Sequence, residues 1–186
     1  MINFDINSSE KISNLFREHH CIDFISATDF VRNLPYKRNR NKEDLSTVFV
    51  DNCGTCSTKH ALLKLLIDEN NQQNFKLILG IFKMNGINTP KIKSVLEKYH
   101  LDYIPEAHNY LKYKNEILDF TNKNSSKEDF ADDLLYEIEI QPNQINEFKI
   151  EFHKNYLKDW LLANPQISFT LDELWKIREL CIEALS

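Results

Sequence analysis

The chain has 186 residues, 42% hydrophobic and 11% aromatic, with only 3 glycines and 5 prolines, which supports a packed core and excludes a disordered or linker-rich chain. A formal net charge of −5 argues against a general nucleic-acid binder, whose surface is ordinarily basic. No stretch reaches the roughly 18 apolar residues that span a bilayer, and Met1 to Asn14 lacks a basic-then-apolar leader, so a cytoplasmic protein with no membrane partner is expected.

In chain order, residues 8–33 read as two helices. Ser8 or Ser9 is placed to cap the first, ahead of Ile12, Leu15 and Phe16 at helical spacing. Thr28 is placed to cap a shorter one carrying Phe30, Val31 and Leu34, which Pro35 ends. Tyr36 to Asp44 is polar and reads as a loop. Its basic run, Lys37, Arg38, Arg40 and Lys42, reads as solvated surface, with a phosphate or acidic-substrate contact as the alternative. Thr47 to Val50 is β-branched and aromatic, which predicts a strand.

Cys56 to Asp68 is the clearest helix, with Ala61, Leu62, Leu65 and Leu66 on one face and Leu63 and Ile67 widening it. A helix apolar on most sides is expected at the centre of a fold. Phe75 to Phe82 alternates as a strand does, and Pro90 to Tyr99 fits a short helix opened by proline. His108 to Lys112 and Glu116 to Phe120 read as two strands joined by a turn at Lys114-Asn115.

After Asn122 the composition shifts. Phe130 to Leu135 is predicted helical and Tyr136 to Ile140 a strand. Ile145 to Leu162 is a long amphipathic pattern stopped near Pro165, and Thr170 caps a last helix with Glu173 in the capping-box position. Residues 124–186 hold 6 Lys+Arg against 13 Asp+Glu (6 − 13 = −7), and residues 46–123 hold 10 against 8 (10 − 8 = +2), so the acidity lies at the C-terminal end. It reads as a solvated helical face, with a partner-binding surface as the alternative. The expected organisation is one domain over residues 1–186: a helical part at 1–45, a core at 46–123 and an acidic, mainly helical part at 124–186. The order of elements points to an α+β fold rather than a regular βαβ series.

Cys56 opens the apolar helix, within Asn52-Cys53-Gly54-Thr55-Cys56-Ser57-Thr58. Unpaired N–H groups and the positive end of the helix dipole favour a thiolate there, and the same groups can hold an oxyanion. The alternative is a small buried cysteine with no chemistry. His108 lies 52 residues on (108 − 56), at the start of a predicted strand, and Asp119 follows 11 residues later (119 − 108) on the returning strand. Cross-strand neighbours lie about 5 Å apart, close enough for a carboxylate to fix an imidazole tautomer. Taken singly, a histidine such as His108 at a strand start is more often structural, and Asp119 reads as a turn cap with Thr121. His60, one helical turn after Cys56, is a candidate substitute base or a packed histidine, while Lys59 is expected in solvent.

Gly54-Thr55-Cys56, His108-Asn109-Tyr110 and Asp119-Phe120-Thr121, in that order, resemble the motifs of the transglutaminase-like superfamily of thiol enzymes. The phrase Gly54 to Leu63 resembles a bacterial branch of it, and the likeness covers about residues 34–123. It implies a papain-like core, in which the nucleophile-bearing helix packs on an antiparallel sheet with flanking helices. It also implies a Cys56-His108-Asp119 triad acting on an amide or ester of a peptide, protein or small molecule through a thioester, with no cofactor. Tyr110 stands where tryptophan is common in the superfamily. Asn52 is a candidate side-chain oxyanion donor, beside the backbone N–H of Cys56.

Two other readings use the same residues. Cys53-Gly54-Thr55-Cys56 is a Cys-x-x-Cys, which in a thioredoxin-like fold would make Cys53 the attacking thiol and Pro105 a cis-proline. A catalytically inactive interaction protein on the triad fold is the other. Cys53, Cys56 and His60 could begin a zinc site, but a second ligand pair is missing, so no metal is expected. The four cysteines, Cys21, Cys53, Cys56 and Cys181, are expected as reduced thiols.

Overall fold

The longest apolar helix of the first hundred residues is also the most deeply buried. In the computed structural model, which describes residues 2–185, this helix runs Cys56–Glu69, and Ala61, Leu62, Leu63, Leu66 and Ile67 are fully buried. Three helices pack against it: α1 (Lys11–Glu18), α2 (Phe24–Asn33) and the single-turn α3 (Thr47–Val50), which makes the Cys56 helix α4. Each large apolar side chain removed from water contributes roughly 1.5–3 kcal/mol, so this apolar helix is stable only with its neighbours around it.

The strands are β1 (Phe75–Asn85), β2 (Tyr103–Tyr113), β3 (Glu116–Leu118) and β4 (Leu134–Ile140). They form a four-stranded antiparallel sheet in the order β3-β2-β1-β4, so the fold is α+β as expected. β2 and β3 pair Leu111 with Leu118 and Tyr113 with Glu116 around the two-residue turn. Lys114 in that turn takes φ 54°, the left-handed conformation such turns require. The remaining helices are α5 (Lys93–Lys98), α6 (Glu147–Ala163) and α7 (Leu171–Glu183).

The chain forms two compact units built from alternating segments. The first holds Met1–Leu79, Asn109–Lys127 and Ile138–Asn146. Its aromatic core joins Phe16 edge-on to Phe49 at 5.0 Å, and Phe4 stacked on Phe24 at 4.9 Å. The second holds Gly80–His108, Glu128–Glu137 and Glu147–Ser186. There Arg178 makes a two-pronged ion pair with the buried carboxylate of Glu106, at 2.7 and 2.6 Å, and the buried His153 donates from Nε2 to the Pro105 carbonyl at 2.8 Å. Thr170 and Glu173 form the reciprocal cap of α7 that the sequence predicts.

Several local expectations are corrected. Thr47–Val50 is a helical turn, not a strand, because Asp44 folds the chain back: its side chain accepts from Ser46 N–H and its carbonyl from Thr47 N–H. The turn buries Val48 and Phe49 and leaves Val50 71% exposed. α2 starts at Asp23, whose carboxylate accepts from Ser26 N–H, while Thr28 lies inside the helix and bonds back to Ile25. Neither Ser8 nor Ser9 caps α1, which Glu10 precedes without a side-chain cap. Residues 130–135 are a 3-10 turn at Ala131–Asp133 followed by the start of β4, because Phe130 is drawn in against His108 and Phe82.

Candidate active site

The chain reaches Cys56 through a buried, polar-pinned segment. Asn39, in the stretch expected to be solvated, is buried: its amide donates to the Cys53 carbonyl at 2.9 Å and its oxygen accepts from Thr58 Oγ1 at 2.7 Å. Thr55 N–H donates to Thr58 Oγ1 at 3.0 Å, so the first turn of α4 is closed by its own side chain. A parallel bridge pairs Tyr36 with Gly54. Arg40, from the basic run, pairs with Asp51 at 2.6 Å.

Cys56 is the first residue of α4, 6% exposed, where the helix dipole is most positive. The next residue, Ser57, donates its hydroxyl to Asn109 Oδ1 at 2.9 Å, and Asn109 donates its amide to the Ile78 carbonyl at 3.0 Å. Asn109 is the chain neighbour of His108, so a buried polar link ties β2, next to one candidate residue, to α4, next to the other.

Asp119 is the first residue after β3, one position past the last pair of the ladder. Its side chain is 3% exposed, and Oδ1 accepts from Thr121 N–H at 2.9 Å and Thr121 Oγ1 at 2.6 Å. The expected turn with Thr121 is therefore present, and it fixes the carboxylate. The same oxygen lies 3.4 Å from His60 Nε2.

His60 is fully buried, and both ring nitrogens meet backbone groups. Nε2 accepts from Phe120 N–H at 2.8 Å, which leaves the proton on Nδ1 to be donated to the Cys56 carbonyl at 2.8 Å. This neutral ring staples the strand end that carries Asp119 to the first turn of α4. Acting as a substitute base would require breaking the Phe120 bond.

His108, on β2, belongs to the second unit, where its ring packs edge-on to Phe130 at 4.8 Å and to Phe82 at 6.2 Å. Tyr110 is fully buried, and Asn52 is exposed in a left-handed turn at φ 50°.

Lys59 is the largest departure from expectation. It is fully buried, and its ammonium donates to the carbonyls of Leu34 at 2.6 Å and Thr121 at 2.7 Å. Burial pushes its pKa down to about 8, opposed by the negative charge that Cys56, Cys53 and Asp119 can carry. Gly54 makes room for it: a Cβ there would meet Lys59 Cγ at 2.9 Å.

The redox reading required a cis Pro105 and a strand before Cys53. Among the described residues no peptide bond is cis, and the segment before Cys53 is the helical turn α3. Cys53 is 5% exposed with its sulfur 3.9 Å from Asn39 Nδ2. All four cysteines are free thiols. Burial, with Asp23 adding for Cys21 and Glu106 for Cys181, pushes those two thiols up to about 11. Among the described residues no group of three or more His, Cys, Asp or Glu is arranged to hold a metal ion, and no helix is long and apolar enough to cross a membrane.

Sequence reasoning missed the supporting contacts of Asn39, Ser57, Lys59 and Asn109. The one available signal was Gly54, which the Lys59 stem requires. Comparison of the chain with known protein families, with curated proteins and with solved structures finds no match.

Proposed function

We propose that this protein is a thiol hydrolase or acyltransferase in which Cys56 attacks an amide or ester carbonyl, His108 is the general base and acid, and Asp119 orients His108. The observation that carries this reading is the fixing of Asp119 by two bonds from Thr121, next to Phe120, whose N–H the His60 ring ties to the Cys56 carbonyl in the first turn of α4. A carboxylate whose side chain is 3% exposed and held by two bonds from one threonine is a costly arrangement for structure alone. The Ser57–Asn109 bond supports the assignment of His108, since it anchors β2 one residue away from that imidazole. The resemblance of the three short motifs to transglutaminase-like enzymes points the same way.

In the proposed reaction the Cys56 sulfur forms a bond to the carbonyl carbon while His108 takes the thiol proton. The N–H groups at the start of α4 hold the oxyanion. His108 then protonates the leaving amine or alcohol as the C–N or C–O bond breaks, leaving a thioester. Water or an amine acceptor resolves it, with His108 taking the incoming proton and the Cys56 thiol restored.

The test is alkylation of each cysteine against pH, read by mass spectrometry in wild type, His108→Ala and Cys53→Ser, followed by a screen of model amides and esters. The triad predicts that Cys56 reacts well below the unperturbed pKa of about 8.5, and that His108→Ala removes this while Cys53→Ser does not. A reactive Cys53 forming a reversible disulfide with Cys56 would give the site to redox chemistry. A Cys56 silent at every pH in all three proteins leaves an inactive interaction protein.

A further inference from the structure

Fully buried lysines are rare, and those that occur are ordinarily paired with a carboxylate. Lys59 has two backbone carbonyls as its acceptors, Leu34 O and Thr121 O, and is fully buried. Neutral acceptors satisfy two of its three N–H groups but do not neutralise the charge. The site keeps this cation at a structural cost, because Gly54 must lack a side chain for the Lys59 stem to pass. Cys56 lies three residues before Lys59 on α4, about one helical turn away, and negative charge on Cys56, Cys53 or Asp119 favours the Lys59 ammonium.

We infer that Lys59 is a positioning residue for the Cys56 nucleophile, acting in two ways. Its buried ammonium sets a fixed positive charge that favours the Cys56 thiolate, and its bond to the Thr121 carbonyl holds the turn that clamps Asp119. This rests on Cys56 being the nucleophile, but not on His108 being its base. Thr121 is the hinge of the second effect: its carbonyl accepts from Lys59, while its N–H and hydroxyl donate to Asp119 Oδ1. Lys59 is mostly protonated at neutral pH even with its pKa pushed down to about 8, so the charge is present when the enzyme would work.

Two measurements test it. The first is the pH midpoint of Cys56 alkylation in Lys59→Met, which keeps the stem and removes the charge, beside wild type and His108→Ala. Cys21 and Cys181 report folding within the same spectrum, because they react only if the structure opens. The midpoint in Lys59→Met is expected to rise by about one unit, so that the thiolate fraction at pH 7 falls about tenfold. The second measurement is reciprocal and needs no change at Lys59. In lysine-labelled protein, the Lys59 ammonium is titrated by NMR in wild type and in Cys56→Ser. Loss of the thiolate is expected to lower the Lys59 midpoint, by linkage with the first effect.

A folded Lys59→Met with an unchanged Cys56 midpoint overturns the inference. So does an unchanged Lys59 midpoint in Cys56→Ser, which decides the matter if Lys59→Met does not fold. A shift in His108→Ala without one in Lys59→Met leaves the triad standing and removes Lys59 from it. A shift in Lys59→Met without one in His108→Ala supports the role of Lys59 and refutes His108 as the base.

Discussion

Gly54→Ala is the sharpest probe of the packing behind the candidate nucleophile. An added Cβ would meet Lys59 Cγ at 2.9 Å and Thr58 Oγ1 at 3.0 Å. Neither neighbour can retreat cheaply. The Lys59 chain is pinned at its far end by two carbonyls, and Thr58 Oγ1 is held between Asn39 Oδ1 and Thr55 N–H. Overpacking a tight interior costs about 1–3 kcal/mol. Because Gly54 is not in a left-handed conformation, alanine regains about 0.4–1 kcal/mol by restricting the unfolded chain. The net loss expected is about 1–2 kcal/mol, or roughly 2–8 °C in Tm for a chain of this size. Urea denaturation and calorimetry would measure it. A double-mutant cycle then isolates the cause: in a Lys59→Ala background, which has no Cγ, the cost of Gly54→Ala should fall by more than half. A neutral or stabilising Gly54→Ala would refute the reasoning, as would full additivity in the cycle.

Three further outcomes are expected. Glu106→Gln should destabilise the protein by about 2 kcal/mol in urea, because the half-buried Arg178 guanidinium loses its charged two-pronged partner and keeps Glu179; replacing both residues by apolar ones should recover most of that. Burial holds the His153 pKa below its ordinary value, against the opposing pull of Glu106, so the unfolded chain takes up a proton first as pH falls. Stability should therefore decline below about pH 6.5, and a Tm series in His153→Gln should lose that part of the slope. Thr121→Val removes a hydroxyl that donates to the Asp119 carboxylate, a bond of about 1.5–3 kcal/mol, and should slow any thioester-forming activity without altering α4, as amide exchange across residues 56–69 can check.

What could be read from the chain alone was whatever periodicity or a local cap determines. α4 is apolar on most sides and proved central; the Lys114-Asn115 turn and the Thr170–Glu173 cap are written in adjacent residues. Thr47–Val50 has the residue types of a strand, yet Asp44 and the burial of Val48 and Phe49 made it a helical turn. The sequence motifs named Cys56, His108 and Asp119 as candidates, but not the side chains that pack around them. Lysine is ordinarily at the surface and asparagine in loops, so nothing local marks Lys59 or Asn39 as buried. Their partners lie at Leu34, Thr121, Cys53 and Thr58, in segments brought together only by folding.

Three of the five points at which the chain passes between its two compact units fall inside strands, at Leu79–Gly80 in β1, His108–Asn109 in β2 and Glu137–Ile138 in β4. The acidic C-terminal stretch is thus not a module that could be trimmed away or traded between proteins. Cutting after residue 123 would remove β4, the neighbour of β1 in the sheet, along with the Glu139 partner of Lys76. That would leave an 11-residue, mostly buried strand with a bare hydrogen-bonding edge. A bare edge of that length is a template for self-association. Fragments expressed to isolate the motif-bearing core should be recovered as aggregates.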